Sequence, residues 1–158
     1  MARFKVDIPS LQMVLVFTAN VVIVFWDSTA VAPFVFYGEF LIVAGALLFV
    51  YVLAHLKRGF FGETEPVLDH LITDGPYRFC RHPLYLSFII LILGVDLMFG
   101  SILGVTFTLF LSIPSAFYRA RVEDRLLKEK FGELWVRYAR RVGFFLPRLF
   151  GKNAYDNA

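Results

Sequence analysis

Residues 75–85 hold the side chains of this chain that are best suited to chemistry: cations, an imidazole and phenols beside a tight turn. They read Gly-Pro-Tyr-Arg-Phe-Cys-Arg-His-Pro-Leu-Tyr, and an apolar stretch follows from Leu84. Pro83 suits the first position of a helix, because a backbone N–H there would have no partner. A helix that begins at Pro83 places His82 at its N-terminal end, where N–H groups and the positive end of the dipole can meet a ligand. We therefore predict a binding site in this segment.

A second polar cluster, Arg119 with Glu123 and Asp124, lies about 40 residues further along the chain. Arg119 and Glu123 are four residues apart, so on a helix they share one face and either pair or hold one charged ligand together. A helical hairpin between the clusters would return this one to the side of His82. The combined polar groups, covered by apolar residues of the helices, suit a small zwitterionic cofactor beside a lipid-like substrate.

Four apolar stretches have to position these clusters. Of the 158 residues, 58% are hydrophobic and 18% are charged, whereas soluble domains average about 45–50% and about 25%. The stretches are Ile8–Trp26, Phe34–Leu56, Leu84–Phe99 and Ser101–Tyr118. A spanning helix needs roughly 17–25 residues, so the third stretch is predicted to gain its first turn from the 75–85 segment. We predict an all-α integral membrane protein with four transmembrane helices, a cytosolic connecting loop and a C-terminal amphipathic helix.

The cations predict the orientation of these helices. All 16 Lys and Arg residues lie before the first stretch, between the second and third, or after the fourth, and ten of them follow the fourth. Cytosolic loops carry an excess of Lys and Arg, so both termini and the middle loop are expected in the cytosol. The partner is expected to be the bilayer and not nucleic acid. The membrane would be the plasma membrane of a prokaryote or the endoplasmic reticulum of a eukaryote.

The chain is predicted to form one domain in four parts. These are an N-terminal helical hairpin (1–56), a cytosolic loop (57–83), a second hairpin (84–118) and cytosolic C-terminal helices with a tail (119–158). Few turn residues separate the last two apolar stretches, so the second hairpin has to be tight.

Two sequence features predict local structure in the C-terminal half of the chain. Pro114 is expected to kink the fourth transmembrane helix and free backbone groups. After Phe131-Gly132, residues 133–142 are predicted to form the amphipathic helix. Its apolar face is expected to hold Leu134, Trp135, Tyr138 and Val142.

Isolated polar residues carry weaker signals. Glu39 and Asp96 lie inside apolar stretches, near enough to their ends that both are expected to reach interface water. Cys80 is expected to be a packed spectator rather than a reactive thiol. His55 and His70 lack the spacing of metal ligands, so no metal site is predicted.

Ordered motifs run through the second half of the chain. They are Gly75-Pro76-Tyr77-Arg78, Arg81-His82-Pro83-Leu84-Tyr85, Glu123-Asp124, and Phe131-Gly132-Glu133-Leu134-Trp135 with Tyr138, Val142 and Pro147. This series resembles the signature of the integral-membrane isoprenylcysteine carboxyl methyltransferases and the related phospholipid methyltransferases. The resemblance covers about residues 71–147, and the first two apolar stretches match only as generic helices. Asp124 stands where Glu is usual, and Trp135 stands where Tyr is commoner.

The resemblance implies an S-adenosylmethionine-dependent methyltransferase that acts on a lipidic or prenylated substrate at the cytosolic face. It implies that Arg119 faces the substrate and that Arg119 and Glu123 are the catalytic residues. The cofactor pocket it implies is lined by Leu71, Ile72, Tyr77, His82, Pro83, Leu84, Tyr85 and Glu123. A carboxylate acceptor needs no base and pairs with Arg119, whereas an amine acceptor has to arrive neutral and leaves Glu123 or Asp124 to accept a proton.

Two other functions compete with this interpretation. The alternative is an NADPH-dependent sterol-type membrane reductase, because such enzymes share a similar His-Pro-x-Tyr segment. They are expected to have a Gly-Asp pair just after it, where this chain has Leu86-Ser87-Phe88. A non-enzymatic membrane scaffold would leave both polar clusters without a role. The sequence leaves open the acceptor, its carboxyl or amine nucleophile, and the oligomeric state.

Overall fold

The computed structural model describes residues 8–27, 34–61 and 71–148, apart from the side chains of residues 57–61. In these residues the chain is all-α, as predicted. The α-helices are α1 (Ile8–Trp26), α2 (Val35–Phe61), α3 (Pro83–Met98), α4 (Ile102–Phe107), α5 (Ile113–Phe131) and α6 (Glu133–Arg141). A 3-10 turn, Gly75–Arg78, precedes α3, and a π-helical stretch, Thr108–Ser112, joins α4 to α5.

Three helices of the described chain are long and apolar enough to cross a membrane. They are α1, the Val35–Leu56 part of α2, and the continuous helix Ile102–Phe131 that α4, the π stretch and α5 form together. The fourth apolar helix, α3, has 16 residues, or about 24 Å of length at 1.5 Å per residue. That is shorter than the ~30 Å hydrocarbon core of a bilayer.

The start of α3 agrees with the sequence only in part. The helix begins at Pro83 and His82 is its N-cap residue, as predicted. The expected extra turn from the preceding segment is wrong, because Gly75–Arg78 forms a separate 3-10 turn. At the other end, Gly100 adopts a φ of +63° in the tight turn that leads to α4, a conformation that favours glycine.

Helices α2 and α3 lie close together because glycines stand where their backbones approach. A Cβ atom on Gly38 would lie 2.3 Å from the backbone nitrogen of Met98 and 2.7 Å from the carbonyl oxygen of Gly94. A Cβ atom on Gly94 would lie 2.8 Å from the backbone nitrogen of Ile42. In lipid, where helices gain little from hydrophobic burial, such close packing is a main source of their attraction.

Asp96 is fully buried where α1, α3 and the π stretch meet. Thr108 donates a hydrogen bond of 2.5 Å to Asp96 Oδ2, and the amide of Asn20 donates one of 3.2 Å to Asp96 Oδ1. The expectation that Asp96 reaches interface water is therefore wrong, because donors on neighbouring helices replace the water. Glu39 is exposed on α2.

The long C-terminal helix changes its winding before Pro114. Proline lacks an N–H and clashes with the carbonyl four residues earlier, and residues Thr108–Ser112 wind as a π-helix at that point. The winding thus changes directly before Pro114, and the predicted kink stays a prediction. Helix α5 then continues to Phe131 and ends at Gly132, whose φ is +54°.

Helix α6 ends one residue before the predicted boundary, at Arg141. Trp135 and Tyr138 are buried, as predicted for its apolar face. Leu134 is 57% exposed, so its predicted place on that face is wrong. A residue directly before Trp135 lies about 100° away from it around the helix.

Some residues used to predict the orientation lie outside the described residues, and so does His70. These cations are Arg3, Lys5 and Lys152, together with the side chains of Lys57 and Arg58.

We expect Gly38→Ala to lower the free energy of unfolding by about 1–3 kcal/mol, because overpacking would push α2 away from α3. Alanine favours a helix over glycine by about 1 kcal/mol, so a net loss would show that the close approach dominates. An SDS titration of the protein in mixed micelles measures the change. Val43→Ala, on the exposed side of α2, is the control, and equal stability of Gly38→Ala and wild type would contradict the packing argument.

Candidate active site

The 3-10 turn is held between α2 and α6. Gly75 adopts a φ of +55°, and a Cβ atom there would lie 2.4 Å from the imidazole ring of His55 on α2. The His55 Nε2 atom lies 3.2 Å from the carboxylate of Asp74, the residue before the turn. From α6, the Tyr138 hydroxyl donates a hydrogen bond of 2.8 Å to the carbonyl oxygen of Tyr77. These contacts fix the turn relative to both helices.

The chain after α6 runs beside the residues that lead into α3. Arg81 N–H donates to the carbonyl oxygen of Gly143 at 2.9 Å, and His82 N–H donates to that of Phe144 at 3.2 Å. The rings of His82 and Phe144 are 4.8 Å apart. The backbone N–H groups of Arg81 and His82 therefore bond to the chain itself.

Asp124 joins α5 to the start of α3. Its Oδ2 atom lies 2.7 Å from Arg81 Nη1, and its Oδ1 atom lies 2.7 Å from His82 Nε2. An ionised carboxylate only accepts hydrogen bonds, so we assign the proton of His82 to Nε2. The side chain of Asp124 is 14% exposed and that of His82 is 2% exposed, so both contacts are shielded from water.

Glu123, next to Asp124, contacts Tyr85 and the cavity instead of Arg81 and His82. The Tyr85 hydroxyl donates a hydrogen bond of 2.6 Å to Glu123 Oε2, and Glu123 also lines a cavity. Successive residues of an α-helix project about 100° apart, which lets the two acids take separate tasks. Asp124 contacts the residues that lead into α3, and Glu123 lines the cavity.

The cavity lies between the 3-10 turn, α5 and α6 and has a volume of about 220 Å³. Its lining combines apolar and aromatic side chains with three charged ones, Arg81, Glu123 and Lys130. The remaining lining residues are Leu56, Leu71, Ile72, Tyr77, Leu127, Phe131, Trp135 and Tyr138. Such a mixture binds a molecule with an apolar or aromatic part and opposite charges at its other end.

Arg81 adds a specific reason to expect a ligand. Its Nη1 atom pairs with Asp124, and its guanidinium carbon lies 5.8 Å from the ring centroid of Trp135 and 5.2 Å from that of Phe144. Its Nε atom is buried without a hydrogen-bond partner among the described residues. A buried donor that lacks a partner is unfavourable, and an acidic group in the cavity would remove that penalty.

Burial keeps the hydroxyl and thiol groups around the cavity protonated at neutral pH. Burial, with the nearby Glu123 carboxylate, raises the pKa of Tyr77 to about 12. Burial also raises the pKa of Tyr138 above its ordinary value. Cys80 is buried, and its pKa is raised by that burial to about 11, which confirms the expectation of a packed spectator.

The residues predicted to line the cofactor pocket fall into two groups. Leu71, Ile72, Tyr77 and Glu123 line the cavity. His82, Pro83, Leu84 and Tyr85 lie at the start of α3 behind the acidic pair; His82 contacts Asp124, and Tyr85 contacts Glu123. The roles assigned to both groups stay predictions.

Arg119 lies on α5 one turn before Glu123, as its spacing requires. Its Nε atom donates a hydrogen bond of 2.7 Å to the hydroxyl of Ser10 at the start of α1. No local sequence pattern indicates that Ser10 belongs near the site. The two residues are 109 positions apart.

Several cavity residues were absent from the predicted site. Leu127, Lys130 and Phe131 follow Glu123 at intervals of four, seven and eight residues, which place all of them on one face of a helix. That spacing is the signal that could have found them. Arg81, Trp135 and Tyr138 were noted as motif residues without a role in the pocket.

No three His, Cys, Asp or Glu side chains in the described part of the chain are grouped closely enough to share a metal ion.

Comparisons with known proteins identify relatives. The family model described as phospholipid methyltransferase matches residues 29–134. The cobalt-zinc-cadmium resistance protein CzcN of Cupriavidus metallidurans is 37% identical over 129 residues, which are 78% of this chain and 54% of that protein. The nickel-cobalt-cadmium resistance protein NccN of Alcaligenes xylosoxydans xylosoxydans is 44% identical over 82 residues, 50% of this chain and 37% of that protein.

Some of the similar proteins are named as enzymes. The protein-S-isoprenylcysteine O-methyltransferase of Schizosaccharomyces pombe is 34% identical over 82 residues, which are 50% of this chain and 34% of that enzyme. The chain thus spans about half the length, or less, of these relatives. No solved structure matches it.

We expect Asp124→Asn to lower the free energy of unfolding by about 2–4 kcal/mol, because it leaves the Arg81 cation partly buried without its counter-charge. An SDS titration in mixed micelles measures the change. Glu129→Gln, at an exposed position of the same helix, should stay within about 0.5 kcal/mol of wild type. Equal effects of the two substitutions would contradict a special role for Asp124.

We expect Cys80 to resist alkylation by N-ethylmaleimide in the folded protein. With the pKa raised to about 11, the thiolate fraction at pH 8 is about 0.1%, against about a quarter for an ordinary thiol. Labelling of the folded protein should be over about a hundredfold slower than labelling of the SDS-unfolded chain. Because folding disfavours the thiolate, the folded-state rate should rise as the pH approaches 11. Equal rates at pH 8 would contradict this environment.

Proposed function

Because this chain belongs to the phospholipid methyltransferase family, we propose that it transfers a methyl group from S-adenosylmethionine to a lipidic or prenylated acceptor. Members of the family use S-adenosylmethionine. The observation that carries the proposal is the charged and aromatic cavity that Glu123 and Arg81 line together. The acceptor nucleophile is either a carboxylate or an amine.

The cavity residues fit the chemical groups of this donor. Its ammonium group suits the carboxylate of Glu123, and its carboxylate suits the cations Arg81 and Lys130. The unpartnered Nε–H of Arg81 supports the second assignment. The adenine ring suits the aromatic and aliphatic side chains of the lining, among them Trp135 and Ile72.

The protein's task in this reaction is chiefly alignment. S-adenosylmethionine supplies a methyl group on a positively charged sulfur, which leaves without help from an acid. The residues that hold donor and acceptor therefore contribute by bringing nucleophile, methyl carbon and sulfur into line. Glu123 has a fixed orientation for such a role, because the Tyr85 hydroxyl holds one of its oxygens at 2.6 Å.

The nature of the acceptor decides whether a base is needed. A carboxylate acceptor attacks directly, and Arg119 on the same helix face can hold it by a charge-assisted hydrogen bond. An amine acceptor has to lose a proton. Glu123 is then the better base of the acidic pair, because Arg81 and His82 already occupy both oxygens of Asp124 at 2.7 Å.

We place the site at the cytosolic face of a four-helix membrane domain with both termini in the cytosol. The distribution of Lys and Arg supports this orientation. The short helix α3 spans the bilayer only if it is surrounded by its longer neighbours, and α2, the continuous α4–α5 helix and α1 all pack against it. A lipid-like acceptor would then reach the cavity from the membrane.

The names of two relatives point to metal resistance, and methyl transfer is compatible with that setting. The described residues offer no grouping of metal ligands, so no observation favours direct metal binding as a second function.

We expect S-adenosylhomocysteine, the demethylated donor, to bind the full chain in detergent and raise its unfolding temperature. A ligand that binds only the folded state stabilises it by mass action. Calorimetric titration with S-adenosylhomocysteine and, separately, NADPH measures both affinities. A response to NADPH alone would overturn the methyltransferase proposal in favour of the reductase.

Substitutions localise the binding site in the same titration. Glu123→Gln should weaken S-adenosylhomocysteine about ten- to a hundredfold, because it removes a charge-assisted contact. Glu129→Gln, exposed on the same helix, should leave the affinity unchanged. With methyl-labelled donor, an alkali-labile product identifies a carboxyl acceptor and an alkali-stable product an amine.

A further inference from the structure

One face of α1 carries a regular series of inward-facing residues. The series has alternating intervals of three and four residues, the spacing of a helix seam that packs against neighbouring helices. It consists of Ser10, Met13, Phe17, Asn20 and Val24, and it continues at Asp27, the residue that follows α1. Most residues of α1 outside the seam, among them Leu11, Val14 and Val22, are exposed.

The polar members of the seam hold α1 at three levels. At one end Ser101 donates to Asp27 Oδ2 at 2.7 Å. In the middle the Asn20 amide donates to the Thr108 hydroxyl at 2.7 Å. Hydrogen bonds between membrane helices stabilise their packing, and three levels together fix both the rotation and the height of α1.

The third level is the contact between Ser10 and Arg119. Ser10 Oγ accepts a hydrogen bond of 2.7 Å from Arg119 Nε. Because guanidinium is planar and rigid, a partner at Nε sets the plane of the whole group. The terminal nitrogens of Arg119, a residue one helical turn before Glu123, are thereby held in one orientation.

The apolar members of the seam reach the same region. Met13 and Phe17 pack against the buried cluster that contains Tyr85 and Ala120, and Tyr85 donates to Glu123. The family model begins at residue 29, so α1 lies outside the matched part of the chain. The site is therefore completed on one side by a helix that the family match does not include.

We propose that Ser10 is a positioning residue, which orients the guanidinium of Arg119 toward the methyl acceptor and makes α1 part of the acceptor side of the site. This inference rests on the proposed function. It assigns Ser10 no contact with the donor, whose charged groups are expected at Arg81, Glu123 and Lys130. Loss of the Ser10 hydroxyl should accordingly affect the acceptor and spare the donor.

Kinetics of Ser10→Ala test the proposal in the full chain in detergent. The acceptor probes are N-acetyl-S-farnesyl-L-cysteine, which carries a carboxylate, and phosphatidylethanolamine, which carries an amine; the one that is methylated is used. We expect kcat/KM for the acceptor to fall about five- to twentyfold and the Kd of S-adenosylhomocysteine to stay within about twofold. Ser10→Thr keeps the hydroxyl and should restore most of the activity.

A matched control lies on the same helix. Thr18 is exposed, and its hydroxyl donates to the carbonyl oxygen of Val14 at 2.8 Å, so Thr18→Ala removes a hydroxyl from α1 without touching Arg119. It should leave kcat/KM unchanged. An equal loss in Thr18→Ala and Ser10→Ala would overturn the proposal.

A double-mutant cycle separates orientation of Arg119 from general stability. In an Arg119→Ala background, Ser10→Ala should have no further effect on kcat/KM, because the group it orients is gone. Additive losses would show that Ser10 acts by another route and would overturn the proposal.

A spectroscopic measurement tests the contact without any acceptor. In ¹⁵N spectra, the Nε–H proton of Arg119, assigned by its loss in Arg119→Lys, should exchange with water more slowly than that of the exposed Arg137. Ser10→Ala should remove this protection. Equal rates of exchange with water for the Nε–H protons of Arg119 and Arg137 in the wild type would overturn the positioning role. If the wild type binds no S-adenosylhomocysteine or methylates neither probe, the proposed function is wrong. If the Arg119 Nε–H proton is still protected from exchange in that case, the Ser10–Arg119 contact is nevertheless present.

Discussion

The paired contacts of Asp124 with Arg81 and His82 are the interaction on which the site depends. They bind the middle of α5 to the residues that lead into α3 and are shielded from water on both sides. The carboxylate neutralises Arg81 enough for its guanidinium to lie among aromatic rings at the cavity wall. Without this anchor, the cavity would lose the relative position of its turn and its acidic helix.

The membrane part supports the site by two different kinds of helix contact. Helices α2 and α3 meet through glycines, which permit backbones to touch and leave little room for side chains. Helix α1 meets the others through hydrogen bonds at three levels and through apolar residues between them. The glycine contact sets the distance between α2 and α3, and the hydrogen bonds set the rotation of α1. Both are needed because residues from α1, α3 and α5 converge around Glu123.

The sequence predicted the fold where local rules decide it and failed where distant partners decide it. Apolar length placed the helices, Pro83 marked the start of α3, and Gly132 marked the end of α5. The sites of Asp96 and Ser10 depend on side chains 12 to 109 positions away, and no local pattern encodes such partners. The cofactor contacts predicted for His82, Pro83, Leu84 and Tyr85 stay predictions; in the structure His82 contacts Asp124 and Tyr85 contacts Glu123.

The π-helical stretch before Pro114 divides one long helix into two halves with separate orientations. A π turn contains about one residue more than an α turn, so everything beyond Ser112 is rotated by about 100° relative to an uninterrupted α-helix. The lipid-facing pattern of the first half and the direction of Arg119 and Glu123 in the second half can thus differ. The contacts of the apolar half and the direction of the two charged side chains can therefore change independently within one continuous helix.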